Sequence, residues 1–447
     1  MRTVTTAAVL ALLGVSGLSA QAGQDCRLEL LGAARGNRVE VIPGVVNEFL
    51  GGNVRFRCVG LEVFMRADSV ASYQGKVVQF IGAVRYRDSS VTMTADNGTW
   101  LTDQEKWEAR GNVVLTNLQE GSDLRGPVLD YWREIPVRRP VSEMFADRRP
   151  TVTLPVKDST GGEQEPYVVT GDRIRMRGND QVFAGGRVAI DRSDFLGRSD
   201  SLFLDTGEGN EGALIGGASL RRTASDSFNL VGRRIDLVLA GRELEYVTAR
   251  DSASLTTAEL ELVGDGIGLD VAGETVEQTL AWGSEVRPVA LAEAFEARGD
   301  SLAFDTPGQR LREVRAFGGA WMATSPDSAG DERDWVSGDT VVATFDSTAA
   351  DTTATTLRRL TAAGSAHAYY RLTSAAGLPS ITYTVADRIT VLMGAEGAST
   401  VDSVLAIGVK DGIHLQPFAA VADSARADTT RGPPPGRPRA RPPEGRR

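Results

Sequence analysis

A short phrase recurs along most of this 447-residue chain: a small or polar residue, Asp, any residue, then usually an apolar one. It reads R-A-D-S-V at 66–70, T-A-D-N-G at 94–98, T-G-D-R-I at 170–174 and R-S-D-S-L at 198–202. It returns as R-G-D-S-L at 298–302, S-G-D-T-V at 337–341 and V-A-D-R-I at 385–389. A second phrase, Gly followed by alternating apolar residues, usually comes some 15 to 25 residues later. Examples are G-A-V-R-Y (82–86), G-N-V-V-L (111–115), G-R-V-A-I (186–190), G-A-S-L-R (217–221), G-G-A-W-M (318–322) and G-S-A-H-A (364–368). Gly tolerates positive φ and Asp hydrogen-bonds its own backbone, so each phrase predicts a turn. After it the side chains alternate: in R-I-R-M-R (173–177) the arginines face one way and Ile174 and Met176 the other. Period-two alternation predicts half-buried strands. Strands recurring in this way with no helical stretch between them predict an elongated all-β stack of antiparallel rungs, each burying its apolar face against its neighbours.

Composition agrees with that fold class and narrows the chemistry. The chain has 49 Gly, with 41% hydrophobic and 24% charged residues, which suits a turn-rich globular β protein and not a disordered chain. Only 2 His and 2 Cys are present, too few for a four-cysteine zinc site, a His-based one or an iron–sulfur cluster. The expectation is therefore no metal and no cofactor. The net charge of −10 includes +5 from residues 431–447 and +1 from Arg2, leaving −16 on the body between. An acidic body argues against nucleic acid as a partner, because phosphate contacts need a basic face.

The N-terminus predicts export. Arg2 precedes a mostly apolar run from Ala7 to Leu18, with small residues at Ala20 and Ala22. A charged start, a short apolar core and an A-x-A site describe a signal peptide over 1–22. Localisation outside the cytoplasm follows, in an oxidising compartment such as the periplasm. There Cys26 and Cys58 are candidates for a disulfide worth about 3 kcal/mol on a chain-entropy estimate, the alternative being two unpaired buried thiols. Repeats are expected over 23–132 and again over 167–418. Between them, residues 133–166 carry five prolines and read as an excursion or joint, with an edge strand near T-V-T-L (151–154). Residues 346–356 read as a surface loop. The segment 419–447 has six prolines in its last 17 residues and reads as an extended, disordered tail.

No catalytic constellation stands out. G-E-G-N-E-G (207–212) matches a dinucleotide fingerprint, but a strand pattern follows it, and its two glutamates would oppose a pyrophosphate. It reads as a hairpin loop. R-G-D (298–300) occupies the repeated Asp slot and reads as a rung turn. His367 and His414 each stand alone on an alternating strand, without a G-x-S-x-G elbow. The six tryptophans are spread along the sequence, a pattern that suits sheet-core capping better than sugar stacking. The expectation is a protein without enzymatic activity.

The stretch G-N-V-R-F (52–56) through R-A-D-S-V, G-A-V-R-Y, T-A-D-N-G and G-N-V-V-L resembles the OstA-like, or lipopolysaccharide-transport A, family of periplasmic proteins in outer-membrane biogenesis. The likeness extends more loosely to about Pro417. It implies an open β-jellyroll shaped like a taco, whose two splayed sheets hold acyl chains in an apolar groove. This chain is about twice the length of a minimal bridge subunit and adds the proline-rich segment and tail. The candidate groove residues are the apolar partners of the alternating runs: Val113, Leu115, Ile174, Met176, Val188, Ile190, Leu202, Leu204, Leu302 and Phe304. The implied partners are lipopolysaccharide or a related glycolipid, envelope transport proteins of the same fold meeting through edge strands, and other copies of this chain arranged head to tail. The alternative is a structural β-repeat protein of the envelope, with a filled interior and no ligand, acting by edge-strand pairing.

Overall fold

The computed structural model describes residues 25–416, apart from 158–161, 194, 208, 224–226, 241–242, 273–274, 325–332, 347–355, 374–378 and 395–400. The expected signal peptide, the tail and nearly all of the 346–356 loop lie outside the described residues. Within them the chain is all β: 28 antiparallel strands joined in one sheet, with two single-turn 3-10 segments between them. Most connections are hairpins between consecutive strands, as the repeat predicts. Six of the full-width rungs are split in two, Glu143–Asp147 and Thr151–Lys157 for example, so the strands make twenty-two rungs. At about 4.8 Å per rung the stack is roughly 100 Å long.

Each rung is bent near its middle, and the repeat phrases account for the bend. In the strand Gln181–Arg192, Gly186 (φ +77°) and Arg187 (φ +47°) together oppose the single residue Asp200 of the next strand. This is a β-bulge, two residues against one, and it kinks the ladder. On the other side Gly186 faces Asp172, whose N–H donates to the Gly186 carbonyl at 2.8 Å. The Asp–Gly pairing repeats along the molecule as Asp68–Gly82, Asp96–Gly111, Asp172–Gly186, Asp200–Gly216, Asp300–Gly318, Asp339–Gly364 and Asp387–Gly408. In all seven a Cβ on the glycine would fall within 2.6 Å of the aspartate carboxylate. The aspartates are those of the seven sequence phrases. The turn expected of Asp and Gly is thus a corner inside the strands and not a link between them. R-G-D takes the same corner position through Asp300.

The corners fold the sheet into two walls that share an interior. One wall, called the front wall here, holds such segments as 54–58, 84–87, 113–117, 188–192 and 295–298. The back wall holds 77–81, 106–110, 173–177, 201–205 and 340–346. Buried residues alternate along both halves of a rung. In Val91–Leu101 the inward positions are Val91, Met93 and Ala95, then Gly98 and Trp100, with Asp96 and Asn97 both outward at the corner.

The proline-rich segment does not separate two runs of repeats. It supplies rungs of its own, because its prolines sit at corners, loops and bulges where no ladder N–H is needed. T-V-T-L lies inside the sheet, paired to 123–125 on one side and to 163–170 on the other, and is not an edge. G-E-G-N-E-G is a hairpin connection as expected: Asp205 pairs with Glu211 across it.

Candidate functional site: the apolar interior between the walls

A single apolar cluster runs through the interior from Cys26 to Met393. All ten candidate groove residues belong to it or pack against it. Val113, Leu115, Val188 and Ile190 come from the front wall, and Ile174, Met176, Leu202, Leu204, Leu302 and Phe304 from the back wall. Nine are buried; Leu204 is half-buried. Their neighbours in sequence point outward as alternation requires. Arg173, Arg175 and Arg177 are exposed beside Ile174 and Met176.

In the first third of the molecule large rings bridge the walls. Phe56 of the front wall meets Phe80 of the back wall at 5.9 Å between centroids. Tyr86 of the front wall meets Trp107 at 5.4 Å and Tyr131 at 5.7 Å, both on the back wall. Trp107 also packs on Phe80 and Trp100. Further along, alanine takes many inward positions, among them Ala249, Ala297, Ala316, Ala343, Ala362 and Ala386.

Polar groups link the free ends of the walls. Cys26 is disulfide-bonded to Cys58 at the front-wall end, with 4.9 Å between Cα atoms. The Cys26 N–H donates to Glu105 Oε1 at 2.9 Å, and Glu105 sits in the hairpin at the back-wall end. Glu105 is buried and paired with Arg133. Arg138 reaches Asp25 at 3.0 Å. Buried Asp88, in a front-wall hairpin, accepts from Tyr86 at 2.8 Å, from Tyr131 of the back wall at 2.7 Å, and from the backbone N–H groups of Ser90 and Val91. Burial pushes both phenols well above the ordinary tyrosine range, so both stay protonated as donors. Asn117 in a front-wall hairpin donates to Asn179 in a back-wall hairpin at 2.6 Å, and Asn179 donates to Gln119 at 2.7 Å.

Sequence reasoning singled out Cys26 and Cys58 but none of these other groups. Asp88 and Tyr131 lie 43 residues apart, Cys26 and Glu105 79, and Asp25 and Arg138 113, and no local pattern connects them. The tryptophans also separate by environment. Trp100 and Trp107 are core, whereas Trp132 and Trp321 lie under Lys106 and Arg298, and Trp335 stacks with Tyr369. The two histidines do not meet: His367 is bonded to Tyr383 at 2.6 Å and His414 to Thr382 at 2.8 Å. Among the described residues no group of His, Cys, Asp and Glu is arranged to hold a metal, and no helix is long and apolar enough to cross a membrane.

Compared with the models of known protein families and with curated protein sequences, the chain gives no match.

Proposed function

We propose that this chain is a non-catalytic periplasmic carrier or bridge for lipopolysaccharide-type glycolipid, holding acyl chains between its two walls on the way to the outer membrane. The observation that supports this reading best is the unbroken apolar interior, which runs from Cys26 to Met393 between the two walls. Moving an acyl methylene out of water is worth roughly 0.8 kcal/mol, so a chain of about 12 carbons gains on the order of 10 kcal/mol before losses. Part of that gain offsets the wall-to-wall contacts a chain displaces. Carriage then needs only burial and release. The Cys26–Cys58 disulfide supports an oxidising compartment. The test is a photo-crosslinking residue placed at Ile174 or Leu202, with outward-facing Arg175 as the control position. Capture of glycolipid in cells from the two interior positions and not from 175 is the expected result. Capture from neither interior position, in a protein that folds, overturns the reading.

A second reading is favoured by the two terminal rungs. The strand Arg35–Ile42 is exposed throughout and carries Val39, Val41 and Ile42; the last rung exposes Leu405, Ile407, Ile413 and Leu415. Each rung has one unpaired edge, which suits strand addition by another copy or by an envelope protein of like fold. A purely structural β-repeat protein would form filaments by light scattering and carry no lipid.

A further inference from the structure

The outward face of the front wall, near the N-terminal end of the stack, carries a charge pattern that folding does not favour. Arg55, Arg66 and Arg85 lie directly opposite one another on the adjacent strands Val45–Cys58, Phe64–Tyr73 and Val77–Arg87. The parallel row toward the free end reads Glu29, Arg57, Phe64, Arg87. All five arginines are exposed, and Phe64 is 48% exposed between Arg57 and Arg87. Directly opposed side chains have Cβ atoms about 5 Å apart, where like charges weaken the pairing of the strands. The chain has acid to spare, with a net charge of −10. Every residue from 25 to 157 is described, and among the described residues Arg57 alone of the five has an ion-pair partner, Glu29 at 2.5 Å. Glu62, in the turn at the free end, and Asp68, at the corner, border the face without pairing to it. Elsewhere on this wall arginines have carboxylates of their own, as Arg125 has Asp123 at 3.1 Å and Arg198 has Asp191 at 2.7 Å.

A row of guanidinium groups held together against its own repulsion is arranged for an anion from outside the chain. Each guanidinium presents a planar fork of donors that matches phosphate. Apolar surface accompanies the charge: besides Phe64, Val59 in the turn that follows Cys58 is 45% exposed. Basic groups interleaved with exposed apolar ones suit the headgroup boundary of a bilayer, where a ring enters and guanidinium groups meet phosphate. A soluble acidic partner would match the charges alone.

We propose that this face docks the N-terminal end of the stack on a membrane leaflet with anionic phosphate headgroups. Arg55, Arg66 and Arg85 meet lipid phosphates, which relieves the repulsion along the row, and Phe64 sits at headgroup level. The face is turned away from the interior, so docking and carriage are separate properties and neither depends on the other.

A nitrobenzoxadiazole label on the full-length chain tests this. It is placed at Thr94→Cys, opposite Arg85, or at Gln79→Cys, on the outward face of the back wall in the same strand as Arg85. The probe is vesicles of phosphatidylglycerol in phosphatidylcholine, with phosphatidylcholine alone as the uncharged comparison. The expected result is that anionic vesicles brighten and blue-shift the label at 94 and leave the label at 79 unchanged, while phosphatidylcholine alone moves neither. Arg55→Gln/Arg66→Gln/Arg85→Gln should weaken the affinity read at 94 by roughly a hundredfold, at about fivefold per arginine. Arg173→Gln/Arg175→Gln/Arg177→Gln, which removes the same charge from the back wall, should leave it within a few-fold. If the first triple variant does not fold, Arg66→Gln alone replaces it, with a loss of about fivefold expected. An equal response at 94 and 79, or a response at 94 that the substitutions do not weaken, overturns the proposal. No response at 94 also overturns it, whether the chain then binds vesicles through another segment or associates with a second copy by light scattering.

Discussion

At the scale of single residues the corner decides what a side chain tolerates. Gly318 has φ +71°, and a Cβ there would collide with the Asp300 carboxylate. Gly75 has a similar φ of +69° but nothing within 4 Å of its Cβ position. Gly318→Ala therefore combines backbone strain with a clash and should lower stability by about 2–3 kcal/mol, against about 1 kcal/mol for Gly75→Ala, read as urea midpoints. Non-glycine residues do occupy the second left-handed position, as Ala83 and Arg187 do, and Arg187 there donates to the Asp172 carboxylate. Asp265 serves a different bend. Its carboxylate accepts the backbone N–H groups of Ser284, Glu285 and Val286 at 2.7–3.0 Å, and these bonds hold it below the ordinary carboxyl range. Arg187 does the same for Asp172. A carboxyl depressed in the folded state binds its proton more weakly there than in the unfolded chain. Its contribution is thus present above the unfolded value of about 3.9 and is lost as pH falls through the folded one. Asp265→Asn should lower the urea midpoint at pH 6, with the gap to the parent protein narrowing as pH falls below 4.

At the scale of the strand, the repeat was readable but its geometry was not. The phrases locate the seven Asp–Gly corners through their aspartates, but Gly408 itself and the left-handed pairs Arg148–Arg149 and Asp251–Ser252 carried no recognisable phrase. What alternation leaves open is whether Asp and Gly end a strand or bend it. Both demand positive φ and a short polar side chain, and only the partner strand's register tells them apart. The proline-rich segment misled for a related reason. Proline marks a break in the ladder, yet Thr151–Lys157 keeps two neighbours because its one proline, Pro155, falls at a register shift. The polar ties were invisible because each partner lies on a different rung. Their weight is measurable: Tyr131→Phe removes one of four donors to buried Asp88 and should cost about 1–2 kcal/mol. Trp107→Ala, which empties the centre of the ring cluster, should cost about 3–5 kcal/mol in the same denaturation series.

At the scale of the whole molecule, twenty-two rungs form one two-walled body, and the ten interior positions chosen from alternation all face its apolar side. Alternation fixes which face is inward, so this much could be read from sequence; how far the walls stand apart depends on contacts between rungs remote in the chain. Beyond the described residues lies the segment 431–447, with six Arg against one Glu. Its deletion should leave the thermal midpoint unchanged, since no repeat phrase lies there. It should also weaken binding to anionic vesicles at low salt, with the difference vanishing at high salt as charges are screened. The central claim, that the interior carries lipid, is tested most directly by extracting the protein purified from an envelope that makes lipopolysaccharide and weighing the extract by mass spectrometry. The account predicts glycolipid in stoichiometric amount, lost when charged residues replace Leu202 and Ile174 in a chain that still folds. Protein that is fully folded and free of lipid would contradict it.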